Sequence, residues 1–124
     1  MDSWQLDFEW LRIQHLVKDS MNRDKLPDLQ AILFLIGIQE LGQLRKDFSK
    51  EEKQDLMHIA VCTLLSQQGY YEIVGKDEDG WPHFKLIRPL PEHGAKSQEK
   101  LLKEMIILYF QAQQLQNGPI GSSN

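Results

Sequence analysis

From Ala31 to Ile38 the chain carries no polar side chain, and the stretch around it, Leu29 to Leu41, reads LQAILFLIGIQEL. Such a run is too short to cross a bilayer. Its length and its helix-forming leucines suit a helix buried on nearly every side, with the other elements packed around it. Asp28 lies near the positive end of that helix, and Arg45 and Lys46 near the negative end. Gly37 and Gly42 cost helix propensity, but Gly37, inside the apolar run, also leaves room for another helix to approach closely.

Around this segment the remaining elements follow in order. Asp2 or Ser3 can cap a first helix that runs to about Met21. At about 100° per residue, Leu6, Trp10, Ile13, Val17 and Met21 form one face, and Trp4, Phe8, Leu11 and His15 form another. A helix on the surface of a monomer needs only one apolar face. The segment SMNRDKLPD interrupts the pattern, and Pro27 suits the first turn of the next helix. Ser49 with Glu52 three residues on fits a capping box that opens a third helix, ending near Gln68 with Gly69 as its stop. Its core face is Met57, Ala60, Val61, Leu64 and Leu65, widened by Leu56 and Ile59.

Tyr70 to Val74 and Trp81 to Arg88 are rich in strand formers and flank a polar loop bounded by Gly75 and Gly80. They predict a β-hairpin with a long loop, with Pro82 tolerable at the start or edge of its strand. Residues 89–94 form an extended linker. A fourth helix starts near Ser97 and runs to about Gln116. Its main face holds Leu101, Met105, Leu108, Tyr109 and Ala112, while Ile106, Ile107 and Phe110 lie on the far side. The expected fold is therefore α+β and mostly helical, in the order αααββα. It is a helical bundle around a buried second helix, with one β-hairpin before the C-terminal helix. Residues 1–117 make a single domain, and 118–124 have the composition of a flexible tail.

The terminal helices each carry more apolar surface than one contact can cover, and large contiguous apolar patches are rare on soluble monomers. A homodimer resolves this, with Trp4, Phe8, Leu11, Ile106, Ile107 and Phe110 at its interface. The alternative is a monomer in which these helices pack on each other and under the hairpin.

Signals for chemistry are weaker. Asp55, His58 and Cys62 fall along one side of the third helix, and His58 and Cys62 have the spacing of metal-binding helical pairs. One such pair lacks the clustered ligands of zinc motifs and would need His15 or Glu40 brought in by packing. The simpler reading is a small buried cysteine with a histidine at the core edge, so no cofactor is expected. Glu40 follows the most apolar run and, if buried, could act as a general acid or base. No second catalytic group is placed beside it, and the exposed strip with Gln39 and Gln43 is its simpler location. The loop Asp77-Glu78-Asp79-Gly80 has its glycine too early for a calcium-binding EF-hand. Phosphate-binding glycine loops, nucleophile elbows and HExxH are absent. An enzyme or metal protein built on Glu40, His58 and Cys62 is thus an alternative reading only.

Tyr70, Tyr71, Trp81, His83, Lys85 and Arg88 gather aromatics and bases in one hairpin, a mix that can stack on nucleic-acid bases or hold an anion. QDLMHIAVCTLLSQQGYYEIV followed by WPHFKLIR, in the order helix, turn, helix, hairpin and long helix, resembles the winged-helix regulators. That resemblance covers about half the chain and implies DNA binding and, as in some members, dimerisation through terminal helices. Charge argues the other way. The net charge is −4, the third helix opens with Glu51, Glu52 and Asp55, and the hairpin tip carries Asp77, Glu78 and Asp79, all of which repel phosphates. DNA binding is therefore the second reading.

The single cysteine cannot form an internal disulfide. The opening MDSWQLDFEW carries acids where a secretory leader carries bases and an apolar run. A cytoplasmic, non-catalytic protein acting through protein contacts is the expectation, with no membrane partner and no major nucleic-acid surface.

Overall fold

The computed structural model describes residues 2–43, 45, 47–91 and 94–117, with side chains described through residue 113. These form α1 (Ser3–Ser20), α2 (Leu29–Leu41), α3 (Lys50–Ser66), β1 (Tyr71–Lys76), β2 (Pro82–Leu86) and α4 (Ala95–Asn117). The order is αααββα and the chain is mostly helical. The expected tail, 118–124, and Lys46 lie outside the described residues. Two compact units result, one built on α1 and α4, the other on α2, α3 and the hairpin. Among the described residues no helix is long and apolar enough to cross a membrane.

The second unit depends on how closely α2 meets α3. A Cβ placed on Gly37 would lie 2.1 Å from the Leu56 carbonyl oxygen, so only glycine permits this contact. Ile32, Leu33, Ile36, Gly37 and Leu41 of α2 are buried, as are Leu56, Ile59, Ala60, Cys62, Leu64 and Leu65 of α3. Phe34, Leu35 and Ile38 are half-buried and Ala31 is exposed, so burial of α2 is less complete than its apolar run implies. The core of α3 is centred on Leu56, Ile59 and Ala60, and Met57 and Val61 are only half-buried.

Helix ends explain two departures from expectation. Asp28 precedes α2 and caps it, accepting from the Ala31 N–H at 2.8 Å, so Pro27 stands outside the helix instead of in its first turn. At the other end α2 stops at Leu41, because Gly42 takes the left-handed conformation (φ 71°) and its N–H bonds the Ile38 carbonyl at 3.0 Å. Gln43 and Arg45 therefore lie beyond the helix. The Arg45 guanidinium forks onto both Glu52 oxygens, at 2.8 and 2.9 Å, and lies 4.7 Å from the centre of the Phe48 ring. Phe48 in turn meets Phe34 edge-on at 6.2 Å. This small cluster ties the α2–α3 connection to both helices.

The capping box of α3 is present. Ser49 Oγ accepts from the Glu52 N–H at 3.1 Å, and Glu52 Oε1 accepts from the Ser49 N–H at 2.9 Å. After α3, Gly69 (φ 78°) turns the chain into the hairpin. The strands pair antiparallel, Tyr71 opposite Leu86 and Ile73 opposite Phe84, with a bulge between Ile73 and Gly75. Pro82 opens β2, where its missing N–H is tolerated. Both strands lie against α3. Arg88 stacks on Tyr70 at 4.0 Å and donates to the Gln68 carbonyl, fastening the strand exit to the end of α3.

In the other unit α1 packs on α4. Asp2 caps α1, its N–H donating to Gln5 Oε1 at 3.2 Å. Leu6, Trp10, Ile13 and Val17 are buried, the inner face expected from periodicity, while Met21 is exposed. On α4 the buried side chains are Met105, Ile106, Ile107 and Tyr109, and Leu108 is exposed. The Lys103 ammonium sits 5.4 Å from the centre of the Trp10 ring, binding the two helices across a charged edge.

Candidate functional site

The second face of α1 is where the chain presents most to its surroundings. Trp4 is 68 % exposed, Phe8 62 % and Leu11 45 %. They stand at i, i+4 and i+7, so helical geometry places them in one row on the side opposite the Leu6–Ile13 core face. His15 continues the row and is exposed. Trp4 and Phe8, with Gln5, Glu9 and Gln111 of α4, border an open depression of about 500 Å³. Large aromatic side chains left in water on a helix that already has a buried face are what an interaction surface requires.

Not every residue expected at this interface reaches it. Ile106 and Ile107 are 0 % and 1 % exposed, buried within the chain itself. Two of the three α4 residues read as a surplus face, Ile106 and Ile107, are core, which corrects that part of the expectation. Phe110 is half-buried and meets Tyr109 edge-on at 5.8 Å. Among the described residues of this unit, the exposed large apolar side chains are thus concentrated on α1. A second exposed apolar group was not anticipated: Ile73, Val74, Leu86 and Ile87 on the hairpin are all about half exposed or more. Adjacent apolar pairs in place of strict alternation were the signal for it.

The polar candidates come together only in part. A cleft of about 430 Å³ beside α3 and the hairpin is lined by Glu52, Asp55, His58, Ile59, Asp77, Trp81, Pro82, His83 and Phe84. Most of its titratable groups have structural partners. Glu52 holds Arg45 and the α3 cap. Asp77 organises the hairpin loop: it accepts from the Asp79 and Trp81 N–H groups at 2.9 and 3.0 Å and meets His83 Nε2 at 2.9 Å. The His83 contact, aided by the Trp81 N–H, holds the Asp77 carboxyl below its ordinary range. The loop at the hairpin tip has an internal order that the charge run did not disclose, and the Gln43 side chain, beyond the end of α2, donates to its Asp79 carbonyl.

His58 and Cys62 do meet, Nε2 to Sγ at 3.5 Å. Cys62 is buried, and burial pushes its thiol up to about 11. A thiol held protonated is a poor metal ligand and nucleophile. Among the described residues no three His, Cys, Asp or Glu side chains stand close enough to hold a metal ion. Asp55 shares the cleft with His58. Glu40 is half-buried on α2 and does not line that cleft.

Of the hairpin residues weighed for nucleic acid, Arg88 is engaged with Tyr70 and Gln68, and His83 with Asp77. Trp81 faces the acid-lined cleft, and Lys85 is exposed. These groups do not form a basic patch. Comparison with protein-family models, with curated proteins and with solved structures found no match to this chain.

Proposed function

We propose that this is a small cytoplasmic, non-catalytic protein that acts through protein–protein contacts as a homodimer. The observation that carries the reading is the exposed row Trp4, Phe8 and Leu11 on α1, a helix whose opposite side is already buried. Aromatic anchors of this kind dominate the energetics of association surfaces. The free, buried Cys62 suits a reducing compartment.

Catalysis is less well supported. Two of the three carboxylates that line the cleft beside α3 and the hairpin, Glu52 and Asp77, are tied to Arg45 and to the hairpin turn, which leaves Asp55 and His58 as its remaining acid and base. DNA binding keeps one observation in its favour, a hairpin lying against the helix that precedes it. The acids at the start of α3 and at the hairpin tip oppose it.

Sedimentation equilibrium at micromolar concentration tests the reading, with heparin chromatography alongside. The expected result is a two-chain mass and no salt-dependent retention. A single-chain mass contradicts the homodimer, and salt-dependent retention on heparin transfers support to the DNA-binding alternative.

A further inference from the structure

We propose that the cleft between α3 and the hairpin binds a small organic amine in its ammonium form. The cleft lies wholly within the unit of α2, α3 and the hairpin. The inference therefore goes beyond the α1 surface and does not depend on how many chains associate.

An apolar wall and unanswered acids share this cleft. Ile59 and Pro82 are buried and Trp81 and Phe84 half-buried, and together they give rings and aliphatic carbon to a space of about 430 Å³. Pockets for small molecules hold roughly 300–1,000 Å³. Surface carboxylates alone would be answered by salt and water. Here a ligand can also bury its own apolar surface against the rings.

The charge is one-sided. Glu52, Asp55 and Asp77 line the cleft, and no lysine or arginine does. Arg45 answers Glu52. His83 answers Asp77 in charge only when its imidazole is protonated. Asp55 is exposed and has no partner among the described residues. The positive end of α3 does not offset these acids, because Glu51 and Glu52 already stand in its first turn. An anion is therefore repelled. A metal ion lacks ligands, since no three donors converge among the described residues.

Trp81 selects among the remaining cations. Phe48 carries Arg45, Tyr70 carries Arg88 and Trp10 carries Lys103, at 4.7, 4.0 and 5.4 Å from the ring centres. Trp81, which stands among the carboxylates, carries no cation from the described residues. An indole face beside a carboxylate suits an ammonium. A primary ammonium donates its N–H groups to Asp55 while its carbon body lies against Trp81 and Phe84. A quaternary ammonium has no N–H to give.

Titration of the ¹⁵N-labelled full chain with phenethylamine tests this, read at the Trp81 indole and the Asp55 and His58 amides. Phenethyl alcohol and phenylpropionate are the neutral and anionic controls, and Nα-acetyl-lysine methylamide presents the same ammonium on a peptide side chain. The expected result is a saturable shift with an ammonium probe, weaker with the alcohol and absent with the carboxylate. Binding of either ammonium supports the site, and the tighter of the two tells a free amine from a lysine side chain of another protein. Asp55→Asn removes an exposed carboxylate that holds nothing in the fold, and should raise Kd about tenfold. Trp81→Leu should raise it about threefold or more, with dispersed amide spectra confirming that each variant is folded. No saturable shift at these positions, binding of the alcohol as tight as that of the amine, or an Asp55→Asn protein that binds the amine as well as wild type overturns the proposal.

Discussion

Gly37 of α2 meets the backbone of Leu56 of α3 so closely that a side chain at this position has no room: its Cβ would lie 2.1 Å from the carbonyl oxygen and 2.7 Å from the carbonyl carbon. A backbone carbonyl inside a helix cannot swing aside as a side-chain tip can. Gly37→Ala gains up to about 1 kcal/mol of helix propensity, yet must push two packed helices apart, an overpacking cost of about 1–3 kcal/mol or more. The expected outcome is a lower urea midpoint with an unchanged slope. A Gly37→Ala protein as stable as the wild type would mean that the helices do not approach this closely.

Glu52 links a helix cap to a bidentate arginine. The Arg45 hydrogen bond first, and the Ser49 N–H second, lower its carboxyl from an ordinary 4.5 to about 2. A depressed carboxyl contributes stability above its ordinary range and loses it as the pH falls through its folded value. The acid limb of the stability curve should therefore fall between about pH 4.5 and pH 2 in part through this group. Glu52→Gln should flatten that limb, and high salt should reduce the difference because the pair is partly exposed. Chemical denaturation across this pH range checks it, and an acid limb identical in the two proteins contradicts the assignment.

Much of this fold can be read directly from particular residues. Ser49 and Glu52 announce the start of α3 because a capping box is a local arrangement that needs no tertiary context. Gly37 marks the close approach because little else justifies a glycine inside an apolar helix. The Leu6–Trp10–Ile13–Val17 face of α1 follows from spacing alone. Other features depend on what is brought near from elsewhere. Periodicity shows that Ile106 and Ile107 are apolar and not whether they meet their own chain or another, and they are core. Arg45 reads as a helix-dipole partner until Gly42 is seen to end α2 and Glu52 is seen to take the guanidinium. Asp77 looks like one acid in a charged run until the N–H groups that it organises are in place. The α1 surface was readable because the helix is amphipathic twice over, whereas the hairpin patch at Ile73, Val74, Leu86 and Ile87 was hidden in what look like ordinary strand residues.

Cys62 should behave as an inert core residue. It is fully shielded, its Sγ meets His58 Nε2 at 3.5 Å, and desolvation raises its thiol to about 11. Alkylation by iodoacetamide at pH 8 should be slower by orders of magnitude in the native protein than in urea, since the thiolate is the reacting species. Native-state labelling at the rate of the unfolded chain would show that the site is open or that the thiol is ionised, and would revive the metal-ligand reading of His58 and Cys62.

The central claim is that the outer face of α1 brings two copies together, and Phe8→Glu places a charge in the middle of that face without touching the buried side of the helix. Sedimentation velocity of wild type and variant at the same micromolar concentration, with melting curves to confirm equal folding, reads the claim directly. A two-chain species for the wild type and a folded single chain for Phe8→Glu is the result the account predicts. A variant that stays two-chain, or a wild type that never leaves one, contradicts it.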